Sequence, residues 1–107
     1  MTRLALPLLV VVLLLPTVSS GEDLDNARKA ELAYFLTQDC GSCHGLTLKG
    51  GLGKPLTPDA LSVFTDEDLL ATILDGRPGT AMPAWRGVID EGEARYLVSL
   101  LRDWGQK

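Results

Sequence analysis

The chain has a single histidine, His44, two cysteines, two methionines, and two each of tryptophan, tyrosine and phenylalanine among its 107 residues. A structural zinc site needs four donors, and only Cys40, Cys43 and His44 lie close together, with no second cysteine pair to complete the set. Basic residues are in the minority, 10 Lys and Arg against 14 Asp and Glu, for a net charge of −4. That balance argues against nucleic-acid binding, which shows a basic face, and gives no support for adhesion to an anionic membrane surface. No apolar run reaches the roughly 20 residues of a membrane-spanning helix. Convincing strand alternation is missing, and residues 21–107 contain no internal repeat or low-complexity segment.

The amino terminus has the layout of a secretory signal over residues 1–20. Arg3 supplies the positive charge, Leu4 to Leu15 the apolar core interrupted by Pro7, and Val18-Ser19-Ser20 the small or neutral residues of a cleavage site. Cleavage is expected after Ser20 or Gly21. The alternative, a retained membrane anchor, is disfavoured by the shortness of the apolar core. Residues 21–107 then form one domain, expected in the periplasm, without stable membrane insertion, and as a monomer. Such a small domain needs help to stabilise its core.

Cys40-Gly41-Ser42-Cys43-His44 is a C-x-x-C-H sequence, the pattern of covalent haem attachment. The two thiols add to the haem vinyl groups and the adjacent histidine reaches the iron. One short turn must carry all three side chains, because both thioethers and the iron belong to one rigid macrocycle. A C-x-x-C redox pair is the competing reading, but it calls for a βαβ context that the sequence does not offer. A disulfide is open to an unclaimed pair in an oxidising periplasm, yet the histidine that follows fits haem capture better. One covalent haem c per chain would also fill the centre of the core, and the haem-free chain is expected to fold poorly.

Three principal helices are expected around that cofactor. Asp23 or Asp25 can cap the first. Leu24, Ala27, Glu31, Tyr34 and Phe35 follow helical spacing imperfectly, Leu32 and Leu36 widen the apolar side, and the helix should run to about Gln38 and deliver Cys40. The glycine-rich stretch after His44 is loop, suited either to close approach to a bulky ligand or to plain surface flexibility. Thr57-Pro58-Asp59 begins a turn, or a short helical one. Thr65 and Asp68 have the spacing of a capping box at the start of a second helix, with Leu69, Leu70, Ile73 and Leu74 on its buried side and Gly76 as its stop. Asp90 and Glu93 repeat the pattern for the last helix, whose apolar line is Ala94, Leu97, Val98 and Leu101, widened by Leu100. It should cross the first helix, with Phe35 or Tyr34 meeting Tyr96, Leu97 or Leu100. The fold class is all-α.

Met82 is the only methionine beyond the signal. It sits in Arg77-Pro78-Gly79-Thr80-Ala81-Met82-Pro83-Ala84-Trp85, between helices rather than on a helical stripe, and the prolines restrain the segment. Methionine is an axial ligand of c-type haems. The plainer reading is a space-filling core methionine. With one histidine in the chain, bis-histidine ligation is excluded, and ligation by Lys49 or Lys54 has no positive support. His/Met ligation implies a more positive potential than His/His and fills both axial positions, so outer-sphere electron transfer is the natural task. The Pro55 carbonyl is a candidate acceptor for the His44 ring nitrogen that does not face iron; otherwise Pro55 only stiffens the chain. Trp85 can pack on the porphyrin, bond a propionate through its indole N–H, or serve as an ordinary core residue. Trp104 is expected to pack. Lys49, Lys54, Arg77 and Arg86 are either ordinary solubilising charge or a partly basic rim near an exposed haem edge.

These features, Cys40-Gly41-Ser42-Cys43-His44, Pro55-Leu56 and Met82-Pro83 between terminal helices, resemble the class I c-type cytochromes. The resemblance implies thioether bonds at Cys40 and Cys43, iron ligands at His44 and Met82, and the proline carbonyl at Pro55. Asp39 to Gly53 and Ile73 to Trp85 are more closely similar to the small periplasmic monohaem cytochromes encoded beside cytochrome cd1 nitrite reductase in denitrifying bacteria. That likeness implies electron donation to the reductase, supplied by an upstream donor, or a redox part in haem d1 biosynthesis or reductase assembly. A haem peroxidase or sensor is the remaining alternative, open if Met82 does not ligate. The leading expectation is an electron carrier rather than an enzyme.

Overall fold

In a computed structural model the described residues are 1–106 without 6, 8 and 17–23. The expected cleavage position and the candidate cap Asp23 lie outside them. Described residues up to 16 carry no regular secondary structure and are exposed. No helix among the described residues is long and apolar enough to cross a membrane.

Helix α1 (Asn26–Phe35) starts at Asp25, whose carboxylate accepts the Arg28 amide at 2.7 Å. It runs without a break into a π-helical turn (Leu36–Cys40) and then α2 (Gly41–His44). The first helix therefore reaches past Gln38 and carries the cysteines and His44 on one continuous helical segment. The π turn changes the helical phase just before Cys40, a feature that tends to sit at functional sites. Helix α3 (Pro58–Leu61) is the short helical turn capped by Thr57. Helices α4 (Asp66–Asp75) and α5 (Glu91–Arg102) begin in full capping boxes, Thr65 with Asp68 and Asp90 with Glu93. Each cap satisfies helix N–H groups that would otherwise lack partners. Helix α4 stops at Gly76, with φ at 69°. The chain is all-α, with no strand among the described residues.

The core lies where α1, α4 and α5 meet. Leu69, Leu70 and Leu74 of α4 and Ala94, Leu97, Val98 and Leu101 of α5 are buried, as their spacing predicts. The buried line of α1 is narrower than expected: Leu32 and Leu36 carry it, one turn apart, while Glu31 and Tyr34 face outward. Tyr34 is 68% exposed and takes no part in the crossing. Instead Arg28 of α1 donates to the Glu93 carboxylate of α5, and the Lys29 ammonium lies 5.7 Å from the Tyr96 ring centroid. Phe35 turns its ring to Trp85.

Among the described residues Glu93 is the one charged residue in the buried set. Its carboxylate does two jobs, accepting the Asp90 amide at 3.0 Å to close the cap and pairing with Arg28. The Arg28 hydrogen bond holds its pKa below the ordinary glutamate value, with the Asp90 amide adding to the effect against the opposing cost of burial. A carboxyl depressed in the folded state contributes stability above its unfolded pKa and loses it as pH falls through the folded one. Glu93→Gln keeps a capping side chain but removes the charge. It should flatten the loss of stability below about pH 4 in urea titrations, whereas Glu93→Ala should also remove the cap, at about 1 kcal/mol. Equal acid limbs in wild type and Glu93→Gln would rule out this account.

Candidate functional site

The loop after α2 is tied down rather than loose. Gly50 and Gly53 donate their amides to the carbonyls of His44 and Cys43 at 2.8 and 2.7 Å, so the end of α2 is capped by its own following loop. Leu48 is wholly buried although its φ is +58°. That backbone region disfavours a branched side chain, and burial in the core together with two backbone bonds, Leu48 N–H to Gly45 and Leu56 N–H to Leu48, holds it there. The Trp104 indole N–H donates to the Thr47 carbonyl at 3.3 Å, so this tryptophan packs and also ties the carboxy terminus to the loop.

His44 is gripped by this loop. Its Nδ1–H donates to the Lys54 carbonyl at 2.7 Å, which leaves Nε2 as the free lone-pair position. The acceptor is therefore Lys54 and not Pro55, a correction to the expectation from sequence. The physical reason is the loop path: Gly50 and Gly53 bond back to the end of α2, which brings the Lys54 carbonyl to the imidazole, while the Pro55 ring lies against Gly50. Gly53 is needed beside the ring, since a Cβ there would lie 2.7 Å from His44 Nδ1 and 2.8 Å from Cε1. Lys54 stood out only for its side-chain charge and Gly53 only as part of the glycine-rich loop, although the Lys54-Pro55 pair is the signal that could have pointed to the carbonyl.

Cys40 and Cys43 are unpaired, the first half-buried and the second exposed. Burial, followed by the nearby Asp39 charge, pushes the Cys40 thiol up to about 11. Reactive C-x-x-C redox cysteines have the opposite shift, and the all-α fold lacks their βαβ setting. Among the described residues no group of three His, Cys, Asp or Glu side chains converges as a metal site, which leaves the zinc reading without a geometry.

Met82 is half-buried in a segment folded back on the end of α4. Trp85 and Arg86 donate their amides to the carbonyls of Ile73 and Leu74 at 3.1 and 3.0 Å. The Trp85 ring meets Phe35 edge-on, with centroids 5.0 Å apart and planes at 86°. This contact joins the helix carrying Cys40 to the segment carrying Met82. Trp85 is half-buried. Lys49 and Lys54 are exposed on the His44 loop, and Arg77 lies over the Phe64 ring, its carbon 5.9 Å from the centroid.

These residues fit a c-type haem on their own chemistry. Two free thiols precede a histidine whose outer nitrogen is fixed by a carbonyl, the usual means of orienting a metal-bound imidazole. Apolar side chains stand exposed around them, among them Leu46 and Leu52, the latter at 97%. An exposed apolar group of this kind suits contact with a large apolar ligand.

The family model of cytochrome c oxidase, cbb3-type, subunit III matches residues 26–101. The chain is 50% identical over 101 residues to cytochrome c55X of Paracoccus denitrificans (strain Pd 1222), across 94% of each protein. A solved structure of the c-type cytochrome NirC superposes with a TM-score of 0.73 at 51% identity, over 75% of this chain and 94% of that one. Dihydro-heme d1 dehydrogenase NirN in complex with DHE superposes at 0.66 with 33% identity. That match covers 70% of this chain and only 16% of NirN.

Two substitutions test the grip on His44. Gly53→Ala should displace the imidazole and cut the yield of haem-loaded protein severalfold, seen as the ratio of haem absorbance to protein. Leu48→Ala should cost about 2–5 kcal/mol in chemical denaturation, the range for a buried leucine. Normal haem loading in Gly53→Ala would mean that the close approach is not needed.

Proposed function

The chain belongs to the small c-type cytochromes of the cytochrome c55X family, and from that membership we propose that it is a periplasmic single-electron carrier, with residues 1–20 as its export signal. Cys40 and Cys43 would hold one haem c through thioether bonds, with His44 and Met82 as the iron ligands. When bound, the haem supplies a one-electron ferric–ferrous couple. The observation that carries this reading is His44 itself: its Nδ1–H is committed to the Lys54 carbonyl at 2.7 Å, which leaves Nε2 as the nitrogen that would ligate iron. Met82 would supply a soft thioether as the second iron ligand, which favours the reduced metal. With both ligands supplied by protein, the residues would provide a redox relay rather than a place for a substrate to bind.

Its acceptor in this reading is cytochrome cd1 nitrite reductase, with a separate upstream donor. Transient docking guided by charge suits rapid exchange. A second reading is favoured by the likeness to a segment of dihydro-heme d1 dehydrogenase: the same couple would serve an oxidative or reductive step in haem d1 maturation. Stopped-flow mixing of the reduced, haem-loaded protein with purified cytochrome cd1 nitrite reductase separates the two. Fast, saturable oxidation that sustains nitrite turnover, slowed by added salt, is the expected result. Negligible transfer from a protein with sound His/Met ligation would move the assignment to haem d1 maturation.

Met82→Ala should abolish the far-red methionine band of the ferric protein and admit carbon monoxide to the ferrous one. The potential should fall on the order of 0.1 V, within the range of about 0.8 V that axial ligands span. An unchanged spectrum would remove Met82 from the iron and open the peroxidase or sensor reading.

A further inference from the structure

The Met82 segment is a strap fastened to the end of α4 at both of its ends. At the entry the backbone turns at Gly76, where a Cβ would lie 2.7 Å from the Met82 carbonyl oxygen, and that oxygen accepts the Arg77 amide at 3.3 Å. Inside the strap the Arg77 carbonyl accepts both the amide and the hydroxyl of Thr80, at 3.0 and 2.7 Å, and the Met82 amide donates to the Thr80 Oγ1 at 3.3 Å. At the exit the amides of Trp85 and Arg86 occupy carbonyls of the last turn of α4, acceptors that a helix end leaves unpaired.

One side-chain contact closes the mouth of this strap. Asp75 is the last residue of α4, and Arg86 follows the strap. The Arg86 Nε and Nη2 donate to the two Asp75 carboxylate oxygens, both at 2.8 Å. The other ion pairs among the described residues join helix to helix or lie within one helix: Arg28 with Glu31 and Glu93, Arg95 with Glu67 and Glu91, Arg102 with Asp66. Asp75–Arg86 alone among them closes on the segment that carries Met82. Two parallel hydrogen bonds fix orientation as well as distance, which a lysine in place of Arg86 could not do.

We propose that Asp75 and Arg86 are a positioning pair whose bidentate fork sets the stiffness of the Met82 strap and so the hold of Met82 on the iron. This rests on the reading of Met82 as a ligand. The pair is exposed, so it adds little to global stability, and its effect falls on the local opening of the strap. Its weakening would make Met82 easier to displace while leaving the helices intact.

The test uses haem-loaded, full-length protein carrying Arg86→Gln, Arg86→Lys or Asp75→Asn. Three quantities are read: the far-red methionine band, the apparent affinity of the ferric form for added imidazole, and the melting temperature. Arg86→Gln and Asp75→Asn are expected to bind imidazole about three- to fivefold more tightly at low salt, the scale of an exposed ion pair. The melting temperature should hardly move, and Arg86→Lys should lie between them and wild type. High salt should raise imidazole affinity in wild type and leave Arg86→Gln unchanged. A wild-type band with imidazole affinity equal in all variants would overturn the fork while leaving Met82 as ligand. Affinity changes that merely track the melting temperature would overturn it as well. A wild type without the methionine band would overturn both readings. If Arg86→Gln fails to load haem, Asp75→Asn is judged by the same criteria.

Discussion

The hydrogen bond from the His44 ring to the Lys54 carbonyl depends on more of the molecule than its 2.7 Å length suggests. For that carbonyl to reach the imidazole, the loop must double back on α2, which it does by donating the Gly50 and Gly53 amides to the carbonyls of His44 and Cys43. Gly53 must pass against the ring with no side chain of its own. Leu48 must be buried to anchor the loop, even at the cost of an unfavourable backbone angle. The constraint therefore links the attachment turn, the loop and the core, and a fault in any of them would be felt at the histidine.

The segment that carries Met82 is built differently. The strap that carries Met82 borrows acceptors from the end of α4, so the first of the two capping-box helices also holds that segment. Helix α4 in turn packs on α5, and α5 is tied to α1 through Glu93 and Arg28. The segments that carry His44 and Met82 are thus joined through a closed circuit of helices. The edge-on contact of Phe35 with Trp85 shortens that circuit by joining the two halves directly. Such mutual support suits the proposed carrier role, because little structural rearrangement would then accompany a change of charge at a bound haem.

Charge is arranged on the same economical lines. The protein is acidic overall, yet its exposed Lys49 and Lys54 lie on the loop that grips His44. Most of the arginines are occupied within the fold, Arg28, Arg86, Arg95 and Arg102 with carboxylates, and Arg77 over an aromatic ring. The lysines are thus the cations best placed to meet a partner near the histidine. Steering by a few such charges affects encounter rate more than final affinity, which is the behaviour a short-lived redox complex requires.

What the sequence determined by itself is what obeys local rules. Capping boxes at Thr65 and Asp90, the stop at Gly76 and the buried lines of α4 and α5 follow from neighbours three or four residues apart on one helix. Cys40, Cys43, His44 and Met82 stand out in the sequence because each side-chain type is so rare here that few assignments compete. Tertiary structure alone decided which carbonyl meets His44, because all backbone carbonyls look alike in a sequence and only the loop path chooses Lys54 over Pro55. It also turned Tyr34 outward and Phe35 toward Trp85, and paired Arg28 with Glu93 and Asp75 with Arg86. A side chain's partner across the fold depends on where separate helices and loops come to rest, and no local spacing encodes that.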